Sequence, residues 1–164
     1  AYGMQPLGKL AFWLGFCCVS IVLIIALRRQ ICLPEMAEAD QFLFLVIASP
    51  MSVCLTGYVK AYGAWISYPM LLGLFGVATI FYVTALIQVP KFLKRSFYPS
   101  YASFTFPFVI SAIGVRDILS YFTSQHIVFR ALEVLASLES VIAILLVLYT
   151  LLRYIRHIRQ AVRF

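Results

Sequence analysis

The chain has 164 residues, of which 63% are hydrophobic and only 12% are charged, and its formal net charge is +7. Soluble globular domains have about 45–50% apolar and about 25% charged residues, so this composition excludes a soluble domain and indicates a polytopic membrane protein. The positive charge does not indicate nucleic-acid binding, because the basic residues follow the order of the apolar segments along the chain.

Five apolar segments are long enough to cross a hydrocarbon core of about 30 Å, which requires roughly 20 helical residues. In chain order they are span A (8–27), span B (41–59), span C (66–89), span D (100–122) and span E (131–153). The strict apolar–polar alternation of transmembrane β-strands is absent from them. The sequence therefore predicts an all-α, polytopic transmembrane bundle with five spans in a single membrane domain.

Span A follows an N-terminus that begins Ala-Tyr-Gly and has no signal-peptide pattern. This beginning suggests a piece of a longer protein. The four cysteines, Cys17, Cys18, Cys32 and Cys54, have neither the spacing of zinc ligands nor that of a secretory disulfide framework. We interpret them as packing residues, and we expect no metal and no other cofactor.

Spans B and D each carry a proline in their interior, Pro50 and Pro107. A proline inside a helix removes a backbone hydrogen bond, at a cost of roughly 3 kcal/mol in water, and the bilayer has no water to replace that bond. Such helices are best tolerated where they face protein or a water-filled cavity. The alternation of kinked and unkinked spans predicts an inner ring around a pathway and an outer ring against lipid.

Small hydroxyl residues lie close to both prolines. They are Ser49, Ser52 and Thr56 in span B and Ser103, Thr105 and Ser111 in span D. Each kink would free a carbonyl, that of Val46 or that of Ser103, which a hydroxyl or water could satisfy. This proximity favours a role in lining a pathway, but small hydroxyl residues are also common in helix interfaces of membrane proteins, so both interpretations remain.

Span E contains Glu139 about a third of the way along its length. Ionisable residues inside a membrane are functional candidates by default, but a proton relay would need partners at matching depth. We interpret Glu139 as paired structurally, with a serine, a threonine or an upstream residue. Glu133 lies on a different helical face, and no catalytic motif is present, so we expect no catalytic residues and no enzyme activity.

Most basic residues fall on one side of the membrane if the five spans alternate in direction. They are Arg28, Arg29, Lys91, Lys94, Arg95, Arg153, Arg156, Arg159 and Arg163. The positive-inside rule then places the A–B loop, the C–D loop and the C-terminus in the cytoplasm of a cell-membrane protein. The C-terminal segment RYIRHIRQAVRF is either a basic amphipathic helix on anionic lipid headgroups or a continuation of span E, and we favour the continuation.

The segment YPSYASFTFPF, residues 98–108, enters span D from a basic loop, and residues 47–50 (IASP) of span B are followed by small residues and Gly57. These segments resemble the ninth and seventh helices of the tellurite-resistance/C4-dicarboxylate transporter family, which includes the slow anion channels of plant guard cells. In that family ten helices form five hairpins, the proline-kinked odd helices line a central pore, and the protein assembles as trimers. Spans A to E match the sixth to tenth helices, so the chain is expected to be a partial copy of this hairpin-repeat pore fold.

The resemblance implies transport of small anions, such as C4-dicarboxylates, sulfite or tellurite-related oxyanions, and it implies an N-terminal half and a homotrimer as partners within the lipid. The family closes its pore with a phenylalanine on the ninth helix, and Phe106 matches that position. The alternative for Phe106 is an aromatic residue that faces lipid or the core. The alternative for the whole chain is a non-transporting membrane scaffold or sensor subunit, whose kinked helices only pack against partners.

Overall fold

The computed structural model of the chain describes residues 5–32, 49–93 and 105–161. These ranges form five α-helices and no strand: α1 (Gln5–Cys32), α2 (Ser49–Tyr62), α3 (Tyr68–Leu93), α4 (Thr105–Ser124) and α5 (Arg130–Ala161). A single 3₁₀ turn, Gly63–Trp65, connects α2 to α3. The five helices correspond in order to the predicted spans A to E.

Four of these helices, α1, α3, α4 and α5, are long and apolar enough to cross a membrane. The prediction of an all-helical membrane bundle is thereby confirmed for four spans, by length and composition. The described part of α2 has 14 residues, and the first half of predicted span B, residues 41–48, lies outside the described residues. A membrane crossing by span B and the ten-helix hairpin repeat therefore stay predictions.

Helix α5 continues past the apolar end of predicted span E, over 32 residues to Ala161. At 1.5 Å per residue this helix is about 48 Å long, whereas the hydrocarbon core is about 30 Å thick. Its last turns therefore extend beyond the apolar segment, with Arg156 and Arg159 exposed. As far as Ala161, the basic C-terminal segment is a continuation of span E.

The turn between α4 and α5 ends α4 with a left-handed residue, His126, whose φ is 58°. The amide of Ile127 donates to the carbonyl of Phe122 at 3.0 Å, and the amide of His126 donates to the carbonyl of Thr123 at 3.0 Å. This pair of bonds is a Schellman motif, which satisfies carbonyls at a helix C-terminus. The chain can therefore reverse within a few residues, and α4 and α5 form an antiparallel hairpin.

The inner helices of the described bundle are α2 and α4. Helix α2 packs against α1, α3 and α4, and helix α4 packs against α2, α3 and α5. Because α1 contacts mainly α2, and α5 contacts mainly α4, each of these two helices lies at the side of one inner helix. The two proline-bearing spans thus occupy the central positions within the described residues.

Two apolar clusters hold the helices together. The first joins α3, α4 and α5 through residues such as Tyr82, Phe108 and Ala143. The second joins α1, α2 and α3 around Phe12 and Tyr58, and it also includes Ile118 of α4. Both clusters contain residues of α3 and α4, so these two helices connect the two clusters.

Candidate functional site

Helices α2 and α4 approach each other closely at Gly114. A Cβ atom at this position would lie 3.4 Å from Leu55 Cδ2, 3.4 Å from Thr56 Oγ1 and 3.6 Å from the carbonyl oxygen of Ser52. Glycine is the smallest residue, and small residues let membrane helices pack closely. The close contact at Gly114 therefore depends on the absence of a side chain in glycine.

One turn further along both helices, Lys60 Nζ lies 3.2 Å from Asp117 Oδ2. This ion pair connects the C-terminal parts of α2 and α4. Because α2 and α4 touch at two successive turns in the same order, they run side by side in the same direction. This parallel arrangement is the one expected for two spans separated by a third.

The two prolines lie in the first turn of the described helices, Pro50 second in α2 and Pro107 third in α4. Amides of the first turn have no intrahelical acceptor, so a proline there removes no hydrogen bond within the described helix. The predicted mid-span kinks, with the freed carbonyls of Val46 and Ser103, fall outside the described residues. The same is true of Ser103 as a predicted pathway residue.

The predicted hydroxyl residues of α2 lie mostly inside the bundle. Ser49 and Ser52 are buried, and Thr56 is partly buried beside Gly114. The hydroxyl oxygens of Ser52 and Thr56 are buried and have no hydrogen-bond partner among the described residues. Ser52 and Thr56 therefore lie at the α2–α4 contact rather than on an open surface.

The predicted hydroxyl residues of α4 face α5. Ser111 Oγ donates a hydrogen bond to Glu139 Oε2 at 2.9 Å, and both residues are buried. Thr105 lines a small pocket with Thr150 and Tyr154 of α5. In the described bundle Glu139 is thus hydrogen-bonded to a serine, and Ser111 lies between helices rather than on an open surface.

Phe106 and Phe108 differ sharply in their surroundings, although they are two residues apart. Phe106 is 49% exposed, whereas Phe108 is completely buried. Phe108 packs edge-on against Tyr82, with ring centroids 5.4 Å apart. Within the described bundle Phe106 is therefore not a core residue, and its ring faces whatever lies outside these five helices.

The inner helices share one uncovered face. On α4, Phe106, Ile110 and Asp117 are spaced by four and seven residues, which places them on the same side of a helix. On α2, Val53 and Lys60 share a side for the same reason, and both are exposed. The Lys60–Asp117 ion pair joins this side of α2 to this side of α4, so the two form a single face. Along α4, Phe106 lies about 16 Å from the ion pair.

A second open surface lies between α4 and α5. It is a groove of about 360 Å³ with Arg116 and Ser140 at one end and apolar side chains along the rest. Arg116 Nε donates to Ser140 Oγ at 3.1 Å. Ile113 in the wall of this groove lies seven residues after Phe106 and three after Ile110, so on α4 the groove borders the uncovered face of the inner helices.

Sequence reasoning did not single out Gly114 or find the partner of Glu139. Ser111 and Glu139 are equally far in sequence from Gln125 in the α4–α5 turn. In an antiparallel hairpin, two such residues lie at the same depth, so this spacing could have identified the pair. For Gly114 the sequence offers only the residue type, because closeness to α2 depends on how the helices pack.

Among the described residues, no three His, Cys, Asp or Glu side chains are grouped as metal ligands would be. Comparisons of the chain with models of protein families, with curated proteins and with solved structures found no match.

Proposed function

We propose that this protein transports small anions across a membrane along the uncovered face of α2 and α4, with Phe106 as the gate. The observation that carries the proposal is the half-exposed Phe106 ring, which lies on a face shared by the two proline-bearing inner helices. A large apolar ring on such a face can close a narrow pathway by excluding water. The substrate classes, C4-dicarboxylate, sulfite or tellurite-related oxyanions, come from the family resemblance.

The chemistry of this face supports weak and transient ion binding. Between Phe106 and the Lys60–Asp117 ion pair it carries uncharged residues, among them Val53 and Ile110. Conduction requires that an ion enter a site favourably and also leave it. The face meets this requirement because it has no net charge between Phe106 and the ion pair, in which Lys60 and Asp117 neutralise each other. The preference for anions is inferred from the resemblance alone.

The proposed pathway needs walls beyond α2 and α4, because their shared face is open on one side. We propose that an N-terminal half with five further helices completes the ring and that three copies assemble, as the resemblance implies. We further propose that the protein resides in the cell membrane with its C-terminus in the cytoplasm, on the basis of the distribution of basic residues.

A non-transporting scaffold or sensor subunit is the second candidate function. The observation in its favour is that Ser49, Ser52 and Ser111 are buried in contacts between helices. Packed hydroxyls stabilise helix association and do not provide a continuous water-accessible surface. The two candidates differ in what they predict for Phe106, since a scaffold has no closed pathway that the loss of the ring could open.

The test compares Phe106→Ala with Phe108→Ala in the full-length protein reconstituted into liposomes. We expect Phe106→Ala to raise anion flux by about tenfold or more, which corresponds to a barrier lowered by at least about 1.4 kcal/mol. Its yield and stability should stay close to wild type because its ring is half exposed. Phe108→Ala should instead lower stability, by up to roughly 3–5 kcal/mol on the scale of soluble cores.

The matched pair separates opening of a gate from general loosening of α4. A rise in flux for both variants would indicate loosening and would overturn the role of Phe106. Unchanged flux in Phe106→Ala, at wild-type yield, would overturn the gate and favour the scaffold. Phe106→Trp retains a large apolar ring and should keep the flux at the wild-type level.

A further inference from the structure

The two members of the Lys60–Asp117 ion pair are unequally exposed. The side chain of Lys60 is 64% exposed, whereas that of Asp117 is 23% exposed. The carboxylate oxygen that faces the ammonium group, Oδ2, is buried. A solute that approaches this pair from the uncovered face of α2 and α4 therefore meets the positive group, and the paired oxygen is out of its reach.

The ion pair is also loosely held. Its Nζ–Oδ2 distance of 3.2 Å exceeds the value of about 2.7–2.9 Å that is typical of charge-assisted hydrogen bonds. Oδ2 accepts no aligned hydrogen bond from the described residues, so the attraction is that of two nearby charges. Exposed ion pairs of this kind contribute little to stability. Lys60 can therefore exchange Asp117 for another anion at low cost.

The position of Lys60 is suited to an entry site. Lys60 lies two residues before the end of α2 at Tyr62, and a lysine close to a helix end can keep its ammonium group hydrated at the membrane surface. It shares the uncovered face with Phe106, which lies about 16 Å from Asp117 along α4. Lys60 is thus at the opposite end of the proposed pathway from the gate.

Cations near this end of the bundle differ in what holds them. Lys9 of α1 lies over the ring of Tyr62, with Nζ 5.1 Å from the ring centroid. Arg116 of α4 donates through Nε to Ser140 Oγ of α5 at 3.1 Å. Lys60, by contrast, lies on the face that the two inner helices share, with its side chain mostly exposed.

We propose that Lys60 selects the transported ion, because its ammonium group binds an oxyanion at the entrance of the pathway and releases Asp117. This inference rests on the transport function proposed above and adds the group that gives it a preference for anions. Basic side chains make pores selective for anions. A cation would be repelled by the exposed ammonium group and could not reach the buried Oδ2. Asp117 stays close and competes for Lys60, so the bound anion can leave again, as conduction requires.

The first measurement detects binding without transport. A water-soluble reagent acylates lysine amines of the full-length protein in liposomes, with and without malate, a C4-dicarboxylate, and mass spectrometry gives the rate at each lysine. At ten times its dissociation constant, malate should slow acylation of Lys60 about tenfold by mass action and leave the rate at Lys9 unchanged. Asp117→Asn removes the competing carboxylate and should lower the malate concentration for half protection by up to about fivefold. Equal protection of both lysines, or protection of neither, would overturn the proposal.

The second measurement is malate flux in the same liposomes, with the gate removed by Phe106→Ala. In this background Lys60→Gln should raise the KM for malate about tenfold, the factor that one charge-assisted contact supplies. Lys60→Arg retains the charge and should restore a KM near that of the Phe106→Ala background. Lys9→Gln is the matched control and should leave the KM unchanged.

The two measurements separate failure of this proposal from failure of the transport function. If Phe106→Ala raises flux but Lys60→Gln leaves the KM unchanged, selection by Lys60 is overturned and the gate stands. If malate protects Lys60 but Phe106→Ala leaves flux unchanged, the anion site stands and the gate is overturned.

Discussion

Helices α1 and α4 are at opposite extremes of burial in this bundle. Within the most apolar 18 residues of each helix, 11% are buried in α1 and 39% are buried in α4. Yet α1 is the most apolar of the four membrane-length helices and α4 is the least apolar. The order is the reverse of that in a soluble protein, where the most apolar helix is the most buried.

The reversal follows from the solvent. Lipid tails are as apolar as leucine, so burying an apolar side chain against another helix gains little, and helices associate through close packing and hydrogen bonds. Helix α4 has the residues for both, with Gly114 against α2 and Ser111 hydrogen-bonded to Glu139. Helix α1 is held mainly by aromatic contacts near its N-terminal end, such as Phe12 against Tyr58, with ring centroids 5.4 Å apart.

Gly114→Val gives the largest effect expected from this comparison. The added methyl groups would overlap Leu55 and Thr56, whose atoms lie 3.4 Å from a Cβ at this position. We expect a loss of about 2–3 kcal/mol in the free energy of unfolding, in the upper part of the range for overpacked interiors. The measurement is a detergent titration in mixed micelles.

Gly15→Val is the matched control in α1, where nothing lies within 4 Å of a Cβ. Its stability should stay within about 0.5 kcal/mol of wild type, as for other surface substitutions. Gly114→Ala should be milder than Gly114→Val, because its Cβ alone makes ordinary contacts. Equal losses for Gly15→Val and Gly114→Val would contradict the division into peripheral and inner helices.

Glu139→Ala is expected to cost about 2 kcal/mol, because it leaves the buried Ser111 hydroxyl without its carboxyl partner. Glu139→Gln keeps the shape and an acceptor oxygen, so it should restore most of the lost stability. Glu133→Ala is the control on the exposed side of α5 and should change stability by less than about 0.5 kcal/mol. Glu139→Gln should also retain transport, because the paired carboxyl is structural. A variant that folds normally but transports nothing would instead assign Glu139 to the transport mechanism.

The sequence was sufficient to predict the order of the helices and the continuation of the last one beyond its apolar part. Predicted span E ended at residue 153, where the arginines begin, and the favoured continuation of its helix through the basic segment is present in α5 as far as Ala161. Hydropathy identifies the part of a helix that lies in the hydrocarbon core. The helix can continue beyond that part because its backbone hydrogen bonds are internal. The same reason explains why α1 ends at Cys32, beyond the predicted boundary of span A at residue 27.

The candidate site was predicted in its residue types more than in its arrangement. Proline and hydroxyl content identified the two inner helices, because these residues are tolerated better against protein than against lipid. The exposed position of Phe106 and the buried position of Phe108 differ, although both are phenylalanines in one helix. Which face of α4 is covered depends on α2, α3 and α5 together, and a single helix sequence does not contain that information.

Trp13→Phe gives the smallest effect, and it tests how α1 is attached. Trp13 Nε1 donates to the hydroxyl oxygen of Tyr62 at 2.8 Å, and phenylalanine lacks this donor. The ring contacts of Trp13 with Phe12 and Phe16 can be kept, so we expect a loss of about 1 kcal/mol, the value of one hydrogen bond. Trp65→Phe is the control, since Trp65 is 77% exposed and should give no measurable loss. Because α1 packs mainly against α2, hydrogen exchange should increase in α1 while α4 stays protected. A loss larger than that of Gly114→Val, or increased exchange in α4, would show that α1 is an integral part of the packed bundle and not a peripheral helix.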